Sequence, residues 1–359
     1  MDFVHSSIIK LLAFSTIVYS LGAQEGLFYL HHGLFSCFGV KRMPSLSVGK
    51  NDAKKKRAPL VHTYSIVARD PVTRDMGVAV QSHWFSVGTV VTWGEAGVGA
   101  IATQAFANVS FGPRGLQLLR QGMDAKSALD SLIDSDEARE MRQLAILDAK
   151  GGIAAHTGKK CIPFAGHIVE ADHSVQANMM INGKVWPAMD RAFRSVKGPL
   201  SERMLRALEA GEAAGGDIRG RQSAALLVVR GKSTGNSWED RLVDLRVDDS
   251  AEPLVELRRL LAIHQAYEQM NQGDAALEKG KMAQARAHYS SAERLFPENE
   301  EMRFWHAVTL ASNGLLEESL PLFKDVFRRN KNWRALAKRL VPTGQLLVDE
   351  AGLAHIVAQ

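Results

Sequence analysis

The sequence predicts a mixed α+β protein in which two antiparallel sheets stack between layers of helices, followed by an all-helical segment. Three observations favour this class. From Thr63 onward, apolar and β-branched residues alternate with the period of two that half-buried strands show. Successive strands are joined by short turns, which pair them antiparallel rather than through crossover helices. Beyond Pro253 the strand pattern stops.

The first predicted strands form a hairpin at 64–68 and 77–81, joined by the turn DPVTRD at 70–75. Pro71 stands at the second position of that turn, which its fixed φ suits. The same alternation predicts further strands at 87–92, 98–103, 143–148, 153–156, 175–179, 224–229 and 242–247.

Helices are predicted where apolar residues recur three and four positions apart. Leu116 and Leu119 mark one such face, and Ala128, Leu129 and Leu132 mark another. The predicted helices cover 111–121, 125–134, 185–196 and 201–213. The resulting order of strands and helices differs from the strict alternation of a doubly wound fold, so we expect stacked sheets between helix layers, an αββα arrangement.

Residues 251–359 show a 34-residue self-similarity in place of strands. The matched pairs are Gly280 with Gly314, Ala285 with Ser319, and Tyr289 with Phe323, and Pro297 closes the first unit. A glycine, a small residue, an aromatic residue and a proline at these offsets are typical of tetratricopeptide repeats. Two such repeats cannot bury their faces alone. We therefore expect them to pack on helices at 254–267 and 333–340 and to offer a surface to a protein partner.

Residues 1–61 look like a signal-like segment and a linker rather than part of the fold. Thirteen mostly apolar residues, 11–23, follow Lys10, which is a signal-peptide length and too short to span a bilayer. This predicts export, with cleavage after Ala23. The alternative is that translation starts at Met43, in which case the protein is cytoplasmic. Residues 44–61 are expected to be a linker.

Charge and cysteine content exclude two broad classes. Residues 1–61 hold eight basic and three acidic side chains, which accounts for the whole net charge of +5. The remainder is balanced and lacks the broad positive field that nucleic-acid binding requires, so no nucleic-acid partner is expected. Cys37 and Cys161 are the two cysteines of the sequence, so a disulfide framework is not expected.

Several long motifs of this chain, in order, resemble a known bacterial family. They are TYSIVARDPVTRDMGVAVQSHWFSVGTVV, EAGVGAIATQAFANVSFGPRGLQLL, AAHTGKKC, EAGEAAGGDIRGRQSAALLVV and DRLVDLRVDD. They resemble domain-of-unknown-function family 1028 over roughly 63–260. The resemblance implies an N-terminal-nucleophile (Ntn) hydrolase-like fold, a four-layer αββα sandwich, over 62–250. It does not supply a reaction.

The resemblance also implies a role for Thr63. In Ntn hydrolases the first residue of the mature first strand is Thr, Ser or Cys, its side chain attacks an amide carbonyl, and its own free α-amine takes the proton. Thr63 matches that position. A cut after His62 is then required, because the amine is otherwise an amide, and His62 does not suit a signal peptidase. The alternative is that Thr63 is a β-branched residue that opens an edge strand.

Five other polar residues near strand ends are candidates for the same site. The resemblance places His83 where relatives often carry lysine, which predicts help in activating the nucleophile; a surface histidine is the alternative. Ser82 is a candidate hydrogen-bond donor, although no GxSxG motif surrounds it. Thr103, Gln104 and Asn108 end a strand, where such side chains serve either as substrate or oxyanion donors or as turn caps.

The loop GGDIRGRQS at 215–223 carries the densest set of polar side chains. Asp217, Arg219 and Arg221 are candidate substrate-binding residues, and one of the arginines would hold a substrate carboxylate in the mouth of the main pocket. The alternative is a structural clamp between these arginines and Asp217. The loop lacks a phosphate-binding GxxxxGK[ST] motif. His83, His156, His167 and His173 are scattered without metal-ligand spacing, so neither a metal nor a cofactor is expected.

Two functions remain open at this point. The first is an Ntn-type amidohydrolase that acts on a small amide or peptide. The second is a non-enzymatic scaffold whose helical repeats, over 251–359, recruit a protein partner. Homo-oligomers are compatible with both. A free α-amine at Thr63 distinguishes the two, because the first function requires it and the second does not.

Overall fold

The structure is a computed structural model that describes residues 60–61 and 63–359. The signal-like segment, most of the linker and His62 lie outside the described residues, so the two alternatives for localisation stay predictions. Within the described part of the chain, no helix is long and apolar enough to cross a membrane.

The N-terminal part contains all the strands of the described chain. In chain order the elements are β1 (Leu60–Val61), β2 (Thr63–Arg69), β3 (Met76–Ser82), α1 (Gly88–Val91), β4 (Thr92–Glu95), β5 (Gly99–Phe106), α2 (Phe111–Arg120), α3 (Ala125–Asp134), β6 (Arg142–Asp148), β7 (Ile153–Thr157), β8 (Gly166–Val169), β9 (His173–Ala177), α4 (Val185–Ser195), α5 (Leu200–Ala213), β10 (Ser223–Val229) and β11 (Arg241–Val247).

The strands form two antiparallel sheets, as the alternation and short turns predicted. The six-stranded sheet has the order β11-β10-β3-β2-β9-β8. The five-stranded sheet has the order β1-β5-β6-β7, with β4 also paired to β5. The DPVTRD turn joins β2 and β3, and Asp70 Oδ1 accepts from the backbone N–H groups of Val72 and Thr73 at 2.9 and 3.0 Å. Strand β2, which begins at Thr63, lies between β3 and β9, so the alternative that Thr63 opens an edge strand is wrong.

Each sheet buries both of its faces. Val67, Val78 and Val80 of the six-stranded sheet pack with Ala102 and Ala145 of the five-stranded sheet between the two. Residues of opposite parity on β2, β3 and β10 pack instead on the helices α4 and α5. The outer face of β5 and β6 packs on α2 and α3. The period of two thus places alternate residues in different apolar layers.

The predicted helices start and end close to where their spacing placed them. Helix α3 covers 125–134 as predicted, because Asp124 caps it by accepting from the Ser127 N–H at 2.9 Å. The predicted strand at 87–92 is wrong: residues 88–91 form α1. Val87 and Val91 lie four apart and are both buried, so this short apolar run follows helical spacing. Strand β1, most of β4, and β8 are two to four residues long and were not predicted; β1 lies in the stretch that was predicted to be linker.

The C-terminal part of the chain is helical from Pro253 onward. Its helices are α6 (Pro253–Glu278), α7 (Met282–Leu295), α8 (Glu300–Ser312), α9 (Leu316–Arg329), α10 (Asn332–Leu340) and α11 (Glu350–Val357). Gly280 and Gly314 lie in the α6–α7 and α8–α9 turns with φ of +69° and +79°, which glycine adopts without strain. The small residues matched by the self-similarity, Ala285 and Ser319, are fully buried.

Candidate functional site

Thr63 opens strand β2 at one end of the six-stranded sheet and faces the other sheet. Its side chain is 0% exposed, and its Oγ1 lies 3.4 Å from the Oγ of Ser82, the residue paired with it on β3. Just upstream, Leu60 and Val61 pair with Phe106 and Ala105 on β5 of the five-stranded sheet. The chain therefore passes from one sheet to the other between Val61 and Thr63.

Beside Thr63, a layer of amide and hydroxyl side chains lies between the two sheets. We call it the polar layer; its members are Ser65, Gln104, Gln143, Gln176 and Asn178, all 0% exposed. Gln143 is at its centre. Gln143 Oε1 accepts from Gln104 Nε2 at 2.7 Å and from Asn178 Nδ2 at 2.8 Å. Its own Nε2 donates to the carbonyl oxygen of Ala177 at 2.9 Å and to Thr157 Oγ1 at 2.8 Å.

The polar layer holds the backbone of Thr63 in place. Gln104 Nε2 and Asn178 Nδ2 each lie 3.3 Å from the Thr63 carbonyl oxygen, and the Asn178 backbone N–H donates to the same oxygen at 3.1 Å. Ser65, two residues along the strand, donates to Gln104 Oε1 and accepts from Gln176 Nε2, both at 2.6 Å. Buried amides bonded on both sides resist reorientation, so Thr63 is positioned from β5 and from the residue that follows β9.

Thr103 and Asn108 lie beyond the polar layer and act on the loop after β5. Thr103 Oγ1 donates to the Asn108 carbonyl oxygen at 3.2 Å, and Asn108 Nδ2 donates to Asp136 Oδ2 at 3.1 Å. Arg142 Nε also donates to Asp136, at 2.9 Å. Burial opposes ionisation of Asp136, but the hydrogen bonds from Arg142, the Ala138 backbone and Asn108 together outweigh it and hold the pKa of Asp136 below its ordinary value. The arrangement is that of loop and turn caps.

His83 lies at the surface just past β3. Its Nδ1 is 3.3 Å from the carbonyl oxygen of Arg221, and its ring is exposed. Its backbone N–H donates to Asp217 Oδ2 at 3.3 Å. The imidazole thus faces the 215–223 loop, while the adjacent Ser82 side chain faces Thr63.

Carboxylates hold both arginines of the 215–223 loop. The Asp217 side chain is fully buried and accepts from Arg219 Nε at 3.0 Å and from Arg219 Nη2 at 2.6 Å. Arg221 pairs with Glu252 at the start of α6 and lies 3.5 Å from Glu212. These contacts match the clamp alternative: Arg219 binds Asp217 within the loop, and the Arg221 guanidinium fastens the loop to α5 and to the start of α6. Assignment of either arginine to a substrate carboxylate stays a prediction.

Tyr64 and Gln81 form a second polar pair on the helix-facing side of the same strands. Tyr64 OH donates to Glu212 Oε2 at 2.6 Å. Burial, and then the Glu212 carboxylate, raise the pKa of Tyr64 well above its ordinary value. Gln81 is paired with Tyr64 across the strands, is 0% exposed, and has no hydrogen-bond partner for its amide among the described residues.

A groove of about 560 Å³ opens where β7 and β8 approach each other. Its lining residues are Thr157, Gly158, Lys159, Cys161, Pro163, Phe164, Ala165, Gly166 and His167. His167 Nδ1 lies 2.8 Å from Thr157 Oγ1. Burial, followed by repulsion from His156, lowers the pKa of His167. The groove is therefore joined to the polar layer through Thr157.

Neither a metal centre nor a thiol nucleophile appears in the described part of the chain. No group of three or more histidine, cysteine or acidic side chains there is placed to hold a metal ion. Cys161 is buried, and burial raises the pKa of its thiol to about 11. Because only the thiolate is a good nucleophile, Cys161 is inert at neutral pH.

Of the predicted site residues, the structure brings Thr63, Ser82 and Gln104 together. Thr103 and Asn108 are bonded to each other where β5 leads into the next loop. His83 and Arg219 both donate to Asp217, and the carbonyl oxygen of Arg221 lies next to the His83 ring. Sequence reasoning missed Gln143, Gln176 and Asn178. The available signal was a glutamine at an inward position of two otherwise apolar strands, β6 and β9, where polar groups are buried only with partners.

Comparisons with known proteins agree on one family. The model of a family of unknown function, DUF1028, matches residues 63–257. The crystal structure of protein SPO2555 from Silicibacter pomeroyi, described by the same family model, superposes with a TM-score of 0.51 at 32% identity. The alignment covers 56% of this chain and 88% of that one. No curated protein matches. Since the family model spans more than half of the sequence, and begins at the residue that opens β2, this chain belongs to the DUF1028 family.

Proposed function

We propose that the protein is an Ntn-type amidohydrolase of small amides or peptides, with Thr63 as nucleophile and a four-layer αββα sandwich as its fold. One observation carries the proposal. Thr63 is the first residue both of an interior strand and of the family match, and its hydroxyl points between the sheets beside Ser82 while three donors fix its carbonyl oxygen.

The reaction needs Thr63 as a chain terminus. Once the peptide bond after His62 is cleaved, the free α-amine has a pKa of about 8 and is a competent base near neutral pH. It takes the proton of Oγ1 as Oγ1 adds to the substrate carbonyl carbon. The tetrahedral intermediate collapses, and the amine of the substrate leaves with that proton, which the α-amine of Thr63 returns. An ester between the acyl group and Thr63 Oγ1 remains. Water, deprotonated by the same amine, hydrolyses the ester.

The uncut chain is compatible with a precursor. Thr63 is fully buried there, and the residues just before it pair with the end of β5. Cleavage would therefore supply the base and also free the segment that lies next to the nucleophile. Ser82 Oγ is close enough to share a hydrogen bond with Oγ1 and orient it.

The decisive experiment is the intact mass and N-terminal sequence of protein purified from its native host. A mature chain that begins at Thr63 supports the proposal; a chain that keeps the bond after His62 overturns it. On the mature protein, hydrolysis of a panel of acyl p-nitroanilides should fall at least about a thousandfold in Thr63→Ala. Thr73→Ala, on the exposed turn between β2 and β3, is the matched control and should keep full activity.

A scaffold function is the second candidate, and the C-terminal helices favour it. The glycine turns and buried small residues of α6–α9 have the geometry expected of tetratricopeptide-like hairpins, which commonly bind protein segments. Under this alternative Thr63 needs no free amine. An uncut chain without amidase activity that still captures a partner through α7–α9 would favour it.

A further inference from the structure

The groove between β7 and β8 has a cationic side. Lys159 supplies the positive charge of this side, since burial lowers the pKa of His167, and none of the lining residues is acidic. Outside the lining, the Glu140 carboxylate accepts from the Lys159 backbone N–H at 3.0 Å and is also attracted by the Lys159 charge. Lys160, next in the chain, is exposed but does not line the groove. The charge of the lining therefore complements an anion.

The other side of the groove is apolar. Phe164 is 51% exposed, although large apolar side chains in this fold are mostly buried, and Pro163 and Ala165 flank it. Trp186 lies close to this side. A Cβ added at Gly183 would be 3.7 Å from the Phe164 ring and 3.7 Å from the Trp186 ring. A planar or apolar group that covered Phe164 would remove its exposed surface from water.

The groove lies within reach of Thr63. Thr157 is two strands from Gln104 along the five-stranded sheet, and Gly166 is two strands from Tyr64 along the other. Neighbouring strands lie about 4.8 Å apart, so the separation is roughly 10 Å. Hydrogen bonds connect the two places, from His167 to Thr157, Gln143, Gln104 and the Thr63 carbonyl oxygen.

We propose that this groove binds small carboxylates that carry an aromatic or similarly apolar body, with Lys159 on the carboxylate and Phe164 on the body. Its assignment as the substrate-recognition pocket rests on the proposed amidohydrolase function: roughly 10 Å suits a substrate whose carboxylate end sits in the groove and whose amide reaches Thr63. The Thr157–Gln143 hydrogen bond would then connect the occupied groove to the residues that position the nucleophile.

The test measures binding by calorimetry with the full-length Thr63→Ala chain, which has no turnover under the proposed function. Hippurate, a carboxylate with a benzoyl body, is the probe. Hippuramide lacks the charge, and acetate lacks the apolar body. We expect both to bind at least about tenfold more weakly than hippurate, because a charge-assisted hydrogen bond and a buried ring each contribute on that order.

Two lysine variants give the matched comparison. Lys159→Gln should raise the Kd for hippurate at least about tenfold. Lys160→Gln makes the same change of charge one residue away, outside the lining, and should change the Kd less than about twofold. Phe164→Ala should weaken hippurate and leave acetate unchanged; circular dichroism checks that this variant folds.

Three results would overturn the proposal: no binding of hippurate, equal binding of hippurate and hippuramide, or equal effects of the two lysine variants. Failure of the proposed function is separately visible. If hippurate binds as expected but the native chain is never cut before Thr63, the carboxylate site stands and its role as the pocket of an amidase is wrong.

Discussion

At the scale of single residues, the polar layer is an unusual use of the space between two sheets. An unpartnered buried amide costs about 1–3 kcal/mol, and the amides of the polar layer avoid that cost because each finds a partner. Gln143 finds partners on four strands: Gln104 on β5, Thr157 on β7, Gly166 on β8 and Ala177 on β9. The layer thereby fastens the two sheets together at the end where Thr63 lies.

Replacement of Gln143 tests this fastening. We expect Gln143→Leu to lower the free energy of unfolding by about 2–4 kcal/mol, because it removes the acceptor shared by Gln104 and Asn178 and a donor to two carbonyls. Urea unfolding followed by circular dichroism measures the change. Gln117→Leu, an exposed glutamine on α2, is the control and should shift stability by less than about 0.5 kcal/mol. If both variants changed the free energy of unfolding equally, the hydrogen bonds of the polar layer would make no specific contribution to stability.

His173 makes stability depend on pH. Burial lowers its pKa in the folded protein, despite a 3.0 Å contact with Asp190 that opposes the shift. The unfolded chain therefore takes up this proton first as the pH falls through about 6.5, and stability that is complete above that pH is lost below it. Unfolding free energies at pH 7.5 and 5.5 should differ less in His173→Gln than in the unchanged protein. Gln117→Leu, a non-titrating substitution at an exposed position of α2, should keep the unchanged protein's difference.

At the scale of elements, glycines decide how the C-terminal helices meet. Gly273 lies in the middle of α6, where alanine is normally the better helix former. A Cβ at this position would lie less than 3.0 Å from three ring atoms of Tyr289 on α7. Gly314, in contrast, has open space around it and is required by its positive φ. The two glycines are needed for different reasons.

Alanine substitutions separate these reasons. We expect Gly273→Ala to destabilise the helical part in spite of its higher helix propensity, because α6 and α7 must move apart. Gly314→Ala should cost about 1 kcal/mol, and Gly314→Asn less, since asparagine tolerates a left-handed conformation. Thermal unfolding measures all three. A stabilising Gly273→Ala would mean that α6 and α7 do not pack this closely.

At the scale of the whole molecule, α6 belongs to both parts of the chain. Its first half places Leu254, Leu257 and Leu261 in the core formed by the six-stranded sheet with α4 and α5. Its second half places Ala266, Met270 and Ala276 against α7. Arg258 adds ion pairs to Glu202 and Glu209 of α5. The single helix α6 therefore packs on the core of the N-terminal part with one half and on the C-terminal helices with the other.

Leu257→Ala tests this coupling. Leu257 is 0% exposed, so its truncation should lower the stability of the N-terminal part by about 2–5 kcal/mol, although it belongs to a helix of the C-terminal part. Val255→Ala, two residues away and 66% exposed, should have little effect. Hydrogen exchange of the β2 and β3 amides localises the loss. Protection that stays unchanged in Leu257→Ala would show that α6 is not part of that core.

The local pattern of residues was sufficient to place most strands and helices, the DPVTRD turn and the glycine turns, because alternation, helical spacing and turn chemistry act over a few neighbours. It failed at 87–92, where a short β-branched run suits either structure, and at β8, which is too short to show a period.

The composition of the candidate site could not be predicted from any local pattern. Ser65 meets Gln104 from 39 residues away and Gln176 from 111. Only the stacking of the two sheets brings these amides together around Thr63 and excludes water from them. Their burial would be costly if folding did not also supply their hydrogen-bond partners.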